Sequence, residues 1–262
     1  MDIADRAEKK TEAESVASSY SAQANCLLDV EPLIVDNPYL VIAPDQDKAA
    51  VEEYKKLKAM TIRLTKKDRF LNTLAITSGA PQEGKSLTSL NLALTLAQAH
   101  DHTVLLVDTD LRGPSIQAQL GIDAKYGLIH YLLDDVPLSE ILAKTGLGKL
   151  VVLPAGGVVS DPVELLSSAK MSALMQELKG RYPDRYVIYD TPPLLTYAEA
   201  QVIAMQVDGV FLVARQGATK QYQFEETLTV LDDANLMGIV FNDNSSLFKK
   251  RTAYYYYNYK QG

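Results

Sequence analysis

The eight residues at positions 79–86, GAPQEGKS, constrain the fold of this chain more than any other feature. They match G-x-x-x-x-G-K-[ST], a pattern whose glycines let the backbone curl so that its N–H groups point at phosphate oxygens. The pattern works between a strand and a helix, because the helix N-terminus adds unpaired donors and a favourable dipole. Both elements are predicted here, a strand at 74–77 and a helix at 86–99. The segment therefore predicts a phosphate-binding loop (P-loop) for ATP and magnesium.

Two side chains of the P-loop have predicted roles of their own. Lys85 can neutralise the β- and γ-phosphates, and the Ser86 hydroxyl can join the magnesium shell. The alternative is a glycine-rich turn with an incidental Lys-Ser pair, which the flanking strand and helix make the weaker interpretation. The residues expected to contact ATP are Gly79, Ala80, Pro81, Gln82, Glu83, Gly84, Lys85, Ser86 and Leu87.

Short apolar runs alternate with segments of helical periodicity along the centre of the chain. The predicted strands are apolar on both faces, which is typical of a parallel sheet that helices cover on two sides. The sequence therefore predicts an α/β fold with three layers and a mostly parallel sheet. The predicted strands lie at 74–77, 103–107, 150–153, 186–189, 209–214 and 238–241, and the predicted helices at 48–64, 86–99, 137–144, 163–180, 197–205 and 220–234.

Three aspartates lie at the predicted carboxyl ends of two strands. Asp108 and Asp110 follow one apolar run, and Asp190 follows another, directly before Thr-Pro-Pro. Ligands of open α/β sheets bind at this edge, where carboxylates can hold hydrated magnesium or accept a proton. The alternative is that these acids cap the next helix or form a plain strand-end turn. Beside a P-loop we favour the metal and catalytic roles.

Composition limits the classes of function. A chain of 262 residues, 47% of them hydrophobic, is long enough for one sizeable core. Its net charge of −7 gives no bulk reason to bind nucleic acid, which needs clustered Lys and Arg. Cys26 stands alone, so no internal disulfide can form, which fits a reducing cytoplasm. No secretory signal or membrane-spanning stretch is recognisable, and we expect a cytoplasmic protein.

The two ends differ from the centre. Residues 1–35 are polar and weakly periodic, and we expect a flexible N-terminal extension there. The P-loop domain is predicted at 36–245 and a tyrosine-rich tail at 246–262. A basic tail of this kind can reach a neighbouring active site as a substrate; an aromatic sticky end or a β-edge segment is the alternative. Its clustered tyrosines are Tyr254, Tyr255, Tyr256, Tyr257 and Tyr259.

Together these motifs resemble the bacterial tyrosine kinases, P-loop enzymes that regulate capsule and exopolysaccharide export. That family has a Walker A motif with an inner proline, here Pro81. It has a second element, Walker A′, with the pattern D-x-D-x-R, here Asp108, Asp110 and Arg112. Its Walker B element ends in Pro-Pro, here behind Asp190. The resemblance runs from about residue 37 to the end of the chain, where the tail looks like the family's autophosphorylation cluster.

The resemblance implies a P-loop NTPase fold of the MinD and ParA type and a tyrosine autokinase. The γ-phosphoryl group of ATP would pass to tail tyrosines of a neighbouring copy. Either Asp108 or Asp110 would take the phenol proton, with Asp108 preferred. Arg215 and Asn242 are the implied adenine contacts, with an ordinary loop role as the alternative. The implied catalytic residues are Lys85, Asp108, Asp110 and Asp190, and the implied magnesium ligands are Ser86, Asp108 and Asp190.

One helix departs from the family pattern. Kinase domains of this family often form rings through a helix with E-x-x-R-x-x-R, and the matching positions here are Glu52, Lys55 and Lys58. Lysine keeps the charge but lacks the planar fork that binds carboxylates in a bidentate manner. We therefore expect ring assembly through an oligomerisation helix at about 48–64, with weaker contacts. A solvated charged face is the alternative.

The resemblance also implies partners. A kinase of this type without its own membrane segment needs a transmembrane polysaccharide co-polymerase as activator, which would recruit it to the inner face of the membrane. A cognate tyrosine phosphatase would reverse the modification. No nucleic-acid partner is expected.

A second function shares the predicted fold. Partition ATPases of the ParA and MinD type are nucleotide-gated assembly modules with little kinase chemistry. They often carry a lysine after the first Walker A glycine, and that lysine crosses a dimer interface. Here the position is Ala80. This difference and the tyrosine tail favour the kinase interpretation.

Overall fold

The computed structural model describes residues 30–44, 46–66, 69–99, 101–182 and 184–243. The predicted tail at 246–262, with its tyrosines, lies outside these residues, as do residues 1–29 of the predicted extension. The described part of the chain forms a seven-stranded sheet with the order β3-β4-β2-β5-β1-β6-β7. All neighbouring strands are parallel except β3 and β4.

The strands and helices alternate along the chain as the sequence predicts. The strands are β1 (Thr73–Ser78), β2 (Thr103–Asp108), β3 (Ala143–Lys144), β4 (Leu150–Leu153), β5 (Arg185–Asp190), β6 (Gly209–Arg215) and β7 (Leu236–Asn242). The helices are α1 (Lys48–Thr65), α2 (Lys85–Ala97), α3 (Ile116–Leu120), α4 (Leu128–Asp134), α5 (Leu138–Ile141), α6 (Val163–Leu166), α7 (Ala169–Gly180), α8 (Ala198–Ala204) and α9 (Gln221–Val230).

Successive side chains of each central strand enter opposite cores. In β2, Val104 and Leu106 pack with residues of α1, α2 and α3 in one apolar cluster. Leu105 and Val107 pack with residues of α4 to α9 in the other. Because side chains alternate across a strand, a strand that is apolar at every position is buried on both faces. The three-layer α/β prediction is therefore confirmed.

The strand order brings the predicted site residues to one edge of the sheet. β5 lies between β1 and β2, and its register sets Asp190 opposite Asp108 on β2 and Ile76 on β1. Parallel strands end at the same edge, so the P-loop after β1 follows directly beside both aspartates.

Two local predictions are wrong. Residues 143–144, expected to end a helix, form β3 and pair with β4 in the antiparallel direction; Leu142 is already extended. The single helix predicted at 163–180 is divided into α6 and α7, because Ser168 is extended and its side chain caps α7 by accepting from the Met171 amide. The short helices α3 and α4 were not predicted, since they have too few turns to show a clear period.

The described start of the chain lies on the folded domain. The amide of Leu33 donates to the carbonyl of Thr145 at 2.9 Å, and Leu33 and Val35 pack against the cluster on the α2 side of the sheet. Leu33 and Val35, which the sequence assigned to the flexible extension, thus contact the folded domain. No helix within the described ranges is both long and apolar enough to span a bilayer.

Candidate active site

The P-loop connects β1 to α2 in a conformation that depends on glycine. Gly84 has φ 94° and precedes the first residue of α2. This positive φ favours glycine, and a Cβ at this position would lie 2.1 Å from Nδ2 of Asn242, whose side chain would have to move. Gly79 lies close to a side chain, because a Cβ there would lie 2.5 Å from Oγ1 of Thr227. These contacts fix the loop against the ends of the neighbouring elements.

The remaining predicted P-loop residues divide into exposed and inward-facing ones. Pro81 and Gln82 are exposed at the tip, and Leu87 packs into the cluster on the α2 side. Glu83 turns inward and is 2% exposed. Its carboxylate accepts from the amide of Ala80 at 2.9 Å and from the hydroxyl of Thr219. These hydrogen bonds to Glu83 therefore stabilise the loop from its buried side.

The predicted adenine contacts both touch the P-loop. Nδ2 of Asn242 donates to the carbonyl of Glu83 at 3.0 Å, and Nη1 of Arg215 donates to the carbonyl of Gln82 at 3.2 Å. Arg215 also pairs with Asp243 at 2.9 Å. These residues therefore lie at the nucleotide site, and their contact with adenine stays a prediction.

Lys85 lies in the middle of the predicted acids. Its Nζ donates to Oδ2 of Asp110 at 2.7 Å and to Oγ of Ser86 at 3.1 Å. Burial acts to lower the pKa of Lys85, but the carboxylates of Asp190, Asp110 and Asp108 together outweigh it and raise the pKa. The lysine is thus held as a cation at the place where the P-loop predicts phosphate.

Asp108 is a buried acid held by backbone amides. Its Oδ2 accepts from the amides of Ser115 and Ile116, both at 3.2 Å, and its Oδ1 accepts from the amide of Asp110 at 3.2 Å. Burial, with the charge of Asp190 as the next cause, raises the pKa of Asp108 to about 8. A carboxyl with a pKa near neutrality can both take up and release a proton at physiological pH.

Asp190 is an acid with one oxygen left unpaired. Its Oδ1 accepts from the hydroxyl of Ser89 at 2.8 Å, and among the described residues its buried Oδ2 has no hydrogen-bond partner. Burial raises the pKa of Asp190, against the opposing effects of Lys85 and the nearby hydroxyls of Ser86 and Ser89. An unpartnered buried carboxylate oxygen is costly, and it fits a site that a cation or its bound water completes.

The donor set fits a magnesium ion that arrives with nucleotide phosphates. In the ranges that the structure describes, no group of three or more His, Cys, Asp or Glu side chains could hold a metal ion by itself. Ser86, Asp108 and Asp190 would share an ion with phosphate oxygens, as magnesium usually requires. Hard oxygen donors and the unpaired oxygen of Asp190 suit this ion.

Two partners of the site were missed from the sequence. Ser89 follows Lys85 by four residues on α2, so helical spacing alone sets both on one face. Glu199 is fully buried on α8 and binds Nε of Arg112, the Walker A′ arginine, at 2.5 Å. Arg112 also stacks over the ring of Tyr197. No local pattern in the sequence links Arg112 to Glu199.

The predicted oligomerisation residues lie apart from this cluster, on α1. Nζ of Lys55 pairs with Glu52 at 2.6 Å, and both side chains are more than half exposed. Lys58 lies on the same helix and is half-buried. The structure therefore presents this motif on the surface, where it is open to a second copy.

The fold and the site define a P-loop nucleoside-triphosphate-binding protein. A family model described as an AAA domain matches residues 73–229. Among solved structures, the kinase domain of Escherichia coli tyrosine kinase ETK matches with a TM-score of 0.72 and 29% identity over 81% of this chain and 82% of that one. MinD of Pyrococcus horikoshii matches with a TM-score of 0.54 and 24% identity over 65% of this chain and 68% of that one, which shows the shared fold alone.

Curated relatives give the family. Tyrosine-protein kinase YwqD of Bacillus subtilis is 33% identical over 222 residues, which are 84% of this chain and 92% of the relative. Tyrosine-protein kinase CpsD of Streptococcus agalactiae is 34% identical over 194 residues, 73% of this chain and 82% of the relative. The chain therefore belongs to the bacterial tyrosine-protein kinases and is an enzyme that binds nucleotide at its P-loop and phosphorylates tyrosine.

Proposed function

We propose that this kinase phosphorylates the tyrosine cluster at 254–259 in the tail of a neighbouring copy. The observation that carries the proposal is the cluster of one cation and three carboxylates beside the P-loop. Lys85 binds Asp110, and its cation also interacts with Asp108 and Asp190 at the ends of two adjacent strands. With magnesium to offset the carboxylates, Lys85 can hold the triphosphate, and a carboxylate can receive a proton from the acceptor. The tail supplies the acceptor hydroxyls.

The proposed reaction is a direct phosphoryl transfer. The phenolic oxygen of the tyrosine forms a bond to the γ-phosphorus of ATP, and the bond from that phosphorus to the β–γ bridging oxygen breaks. ADP leaves with the electron pair, and the phenolic proton passes to a carboxylate. Phenol has a pKa of about 10, so the base need only assist as the phosphoryl group moves.

We assign the proton acceptor to Asp108, with Asp110 as the alternative. The fixed position of Asp108 supports this choice, because three backbone amides hold its carboxylate at the strand end beside Asp190. Asp110 is paired with Lys85, and ATP binding would draw Lys85 toward the phosphates and release Asp110. Once released, Asp110 would be free to accept the proton in place of Asp108.

The residues that bind magnesium and the nucleotide are also part of the proposal. Ser86, Asp108 and Asp190 would hold magnesium, which supplies charge neutralisation of the phosphates. Lys85 and the amides of the P-loop would bind the phosphates themselves. Arg215 and Asn242 would contact adenine, supported by their hydrogen bonds to the carbonyls of the loop.

The test is phosphorylation of the purified full chain with ATP and magnesium, followed by mass spectrometry of the tail. We expect phosphotyrosine at the cluster in the wild type and none in Lys85→Met. Phosphate that persists in Lys85→Met would reveal a contaminating kinase. A wild-type tail that stays unmodified, with and without an activating membrane-protein fragment, would contradict the proposal.

The proposed cellular role is regulation of capsule or exopolysaccharide synthesis and export. The relative CpsD of Streptococcus agalactiae is named a tyrosine-protein kinase, and one matched structure is the chimerical protein CapA2B2. These support a cytoplasmic kinase that a transmembrane co-polymerase recruits to the inner face of the membrane and activates. A cognate tyrosine phosphatase would return the tail to its unmodified state.

Ring assembly would use the exposed face of α1. Charge reversal by Lys55→Glu with Lys58→Glu should reduce the molar mass measured by light scattering, because the face would then repel the acids of a neighbouring copy that we expect it to bind. Lys56→Glu is the matched control, since Lys56 lies on the same helix and pairs with Glu53 at 2.6 Å. Equal masses for all three proteins would contradict assembly through this face.

A further inference from the structure

An apolar groove lies on the surface between α4 and α6. It has a volume of about 340 Å³, and its apolar walls are Leu132, Leu133, Val159 and Leu165. A cavity of about 150 Å³ can hold a benzene molecule, so the groove has room for a tyrosine ring. Leu133 at its wall is 62% exposed.

The groove adjoins the active site through the segment after β4. The amide of Val159 donates to the carbonyl of Leu111, the residue after Asp110, at 2.9 Å. Nη1 of Arg112 donates to the carbonyl of Ser160 at 2.9 Å. One wall of the groove is therefore hydrogen-bonded to the loop that carries Asp110.

The polar lining of the groove is acidic. Asp161 and Glu164 both line it, and neither forms an ion pair within the described residues. Lys170 also lines the groove, but its charge is balanced by Asp135 at 2.5 Å. The groove thus combines apolar walls with Glu164 and with Asp161, whose charge also interacts with Arg112, and this lining suits a segment of aromatic and basic residues.

We propose that this groove binds the tyrosine-rich tail of a neighbouring copy while another tyrosine of the same tail occupies the active site; this rests on the proposed function. Residues 246–262 carry four basic residues, a tyrosine cluster and no acid, which matches the lining in both respects. Tyr254 follows the last described residue, Asp243, by eleven positions. That length spans up to roughly 36 Å when extended, enough to leave its own domain for a neighbour.

Docking in this groove also accounts for product release. Each phosphate adds about −1.5 to −2 charges, and a phosphorylated tail would be repelled by Asp161 and Glu164. The groove would therefore favour unmodified tails over modified ones. Several neighbouring tyrosines allow one ring to anchor the tail while the next is phosphorylated.

The test uses a full-length acceptor that cannot phosphorylate itself. The Lys85→Met chain, labelled with ¹⁵N so that mass spectrometry separates the two tails, is mixed with wild-type or variant kinase. Leu133→Lys should raise the KM for this acceptor about tenfold, or about 1.4 kcal/mol, with the KM for ATP unchanged. Ile34→Lys is the matched control, because Ile34 is also exposed, at 95%, and should leave both values unchanged.

A second test exchanges charges between the groove and the tail. Glu164→Lys should raise the acceptor KM in the same way, and an acceptor with Lys249→Glu, Lys250→Glu and Arg251→Glu should restore it with that kinase alone, as coupled sites do. The control is Asp232→Lys, a reversal at an exposed position on the loop after α9.

The outcomes separate the two proposals. Transfer by the wild type with unchanged KM in Leu133→Lys and Glu164→Lys would overturn the groove and leave the kinase function standing. No transfer by the wild type, with and without the activating membrane-protein fragment, would overturn both. A change of molar mass in the groove variants would identify the groove as a contact between folded domains, and would overturn tail docking.

Discussion

Buried aspartates lie in opposite environments at the two edges of the central sheet, where the amino ends and the carboxyl ends of the parallel strands lie. At the amino edge, Asp208 accepts from the amides of Asn72 and Thr73, from the Thr73 hydroxyl at 2.8 Å and from Lys179 at 2.6 Å. Burial acts to raise its pKa, but the hydrogen bonds from Lys179 and Thr73 lower it by more. At the carboxyl edge, Asp190 keeps one oxygen unpaired, and burial raises its pKa.

The difference shows how one residue type serves stability at one edge and function at the other. A carboxylate with all its hydrogen bonds made inside the protein holds strands together and has nothing left for a ligand. A carboxylate with an unpaired oxygen destabilises the free protein and is relieved when a cation binds.

The largest effect is expected for Asp190→Asn. Loss of the carboxylate should lower tail phosphorylation at least about 100-fold, the range for removal of one electrostatic group from a catalytic site. Without nucleotide and magnesium, the variant should melt higher than the wild type by roughly 2–4 °C per kcal/mol of relieved charge. The kinase assay measures the loss of activity, and calorimetry measures the change in Tm. A lower Tm would contradict the contrast between the edges.

Asp208→Asn should show the opposite pattern. It removes the partner of Lys179 and leaves backbone donors facing an amide, so the free energy of unfolding should fall by about 2–3 kcal/mol. The rate of tail phosphorylation at a temperature where the variant is folded should stay within about twofold, because Asp208 lies at the edge away from the P-loop. Urea unfolding gives the first value. A large loss of activity in the folded variant would tie this edge to catalysis.

The stability that Asp208 gives to the folded protein should depend on pH. The folded-state pKa of Asp208 lies below its ordinary value, which is about 3.9 in the unfolded chain. Its contribution is therefore fully present above that value and is lost as the pH falls through the folded pKa. The stability gap between wild type and Asp208→Asn should be constant from pH 7 to about 5 and shrink in acid. Urea titrations at several pH values measure it, and a gap that widens in acid would contradict the assignment.

The smallest effects are expected from removal of one hydroxyl at each edge. Thr73→Val removes a donor to Asp208 and should cost about 1–2 kcal/mol of unfolding free energy. Ser89→Ala removes the donor to Asp190 and should cost less, because the single hydroxyl hydrogen of Ser89 is shared between Asp190 and the carbonyl of Lys85. Equal losses in both variants would show that the two environments do not differ as described.

Local sequence patterns predicted most of the fold. Strands with apolar residues at every position and longer periodic helices were placed within a few residues, and the register that sets Asp108 opposite Asp190 confirms their shared edge. The sequence did not predict β3 or the break at Ser168, because elements of two to five residues carry no measurable period. Ser89 was within reach of helical spacing, but Glu199 was not, since Arg112 meets it only across 87 positions.

The sequence by itself determined the P-loop, the alternation of strands and helices and the three aspartates, because each depends on neighbours in the chain. Only the tertiary structure decided how these acids differ. It paired Lys85 with Asp110, surrounded Asp108 with amides and left Oδ2 of Asp190 without a partner among the described residues. Burial and strand order set these environments, and both arise from contacts between residues far apart in the chain.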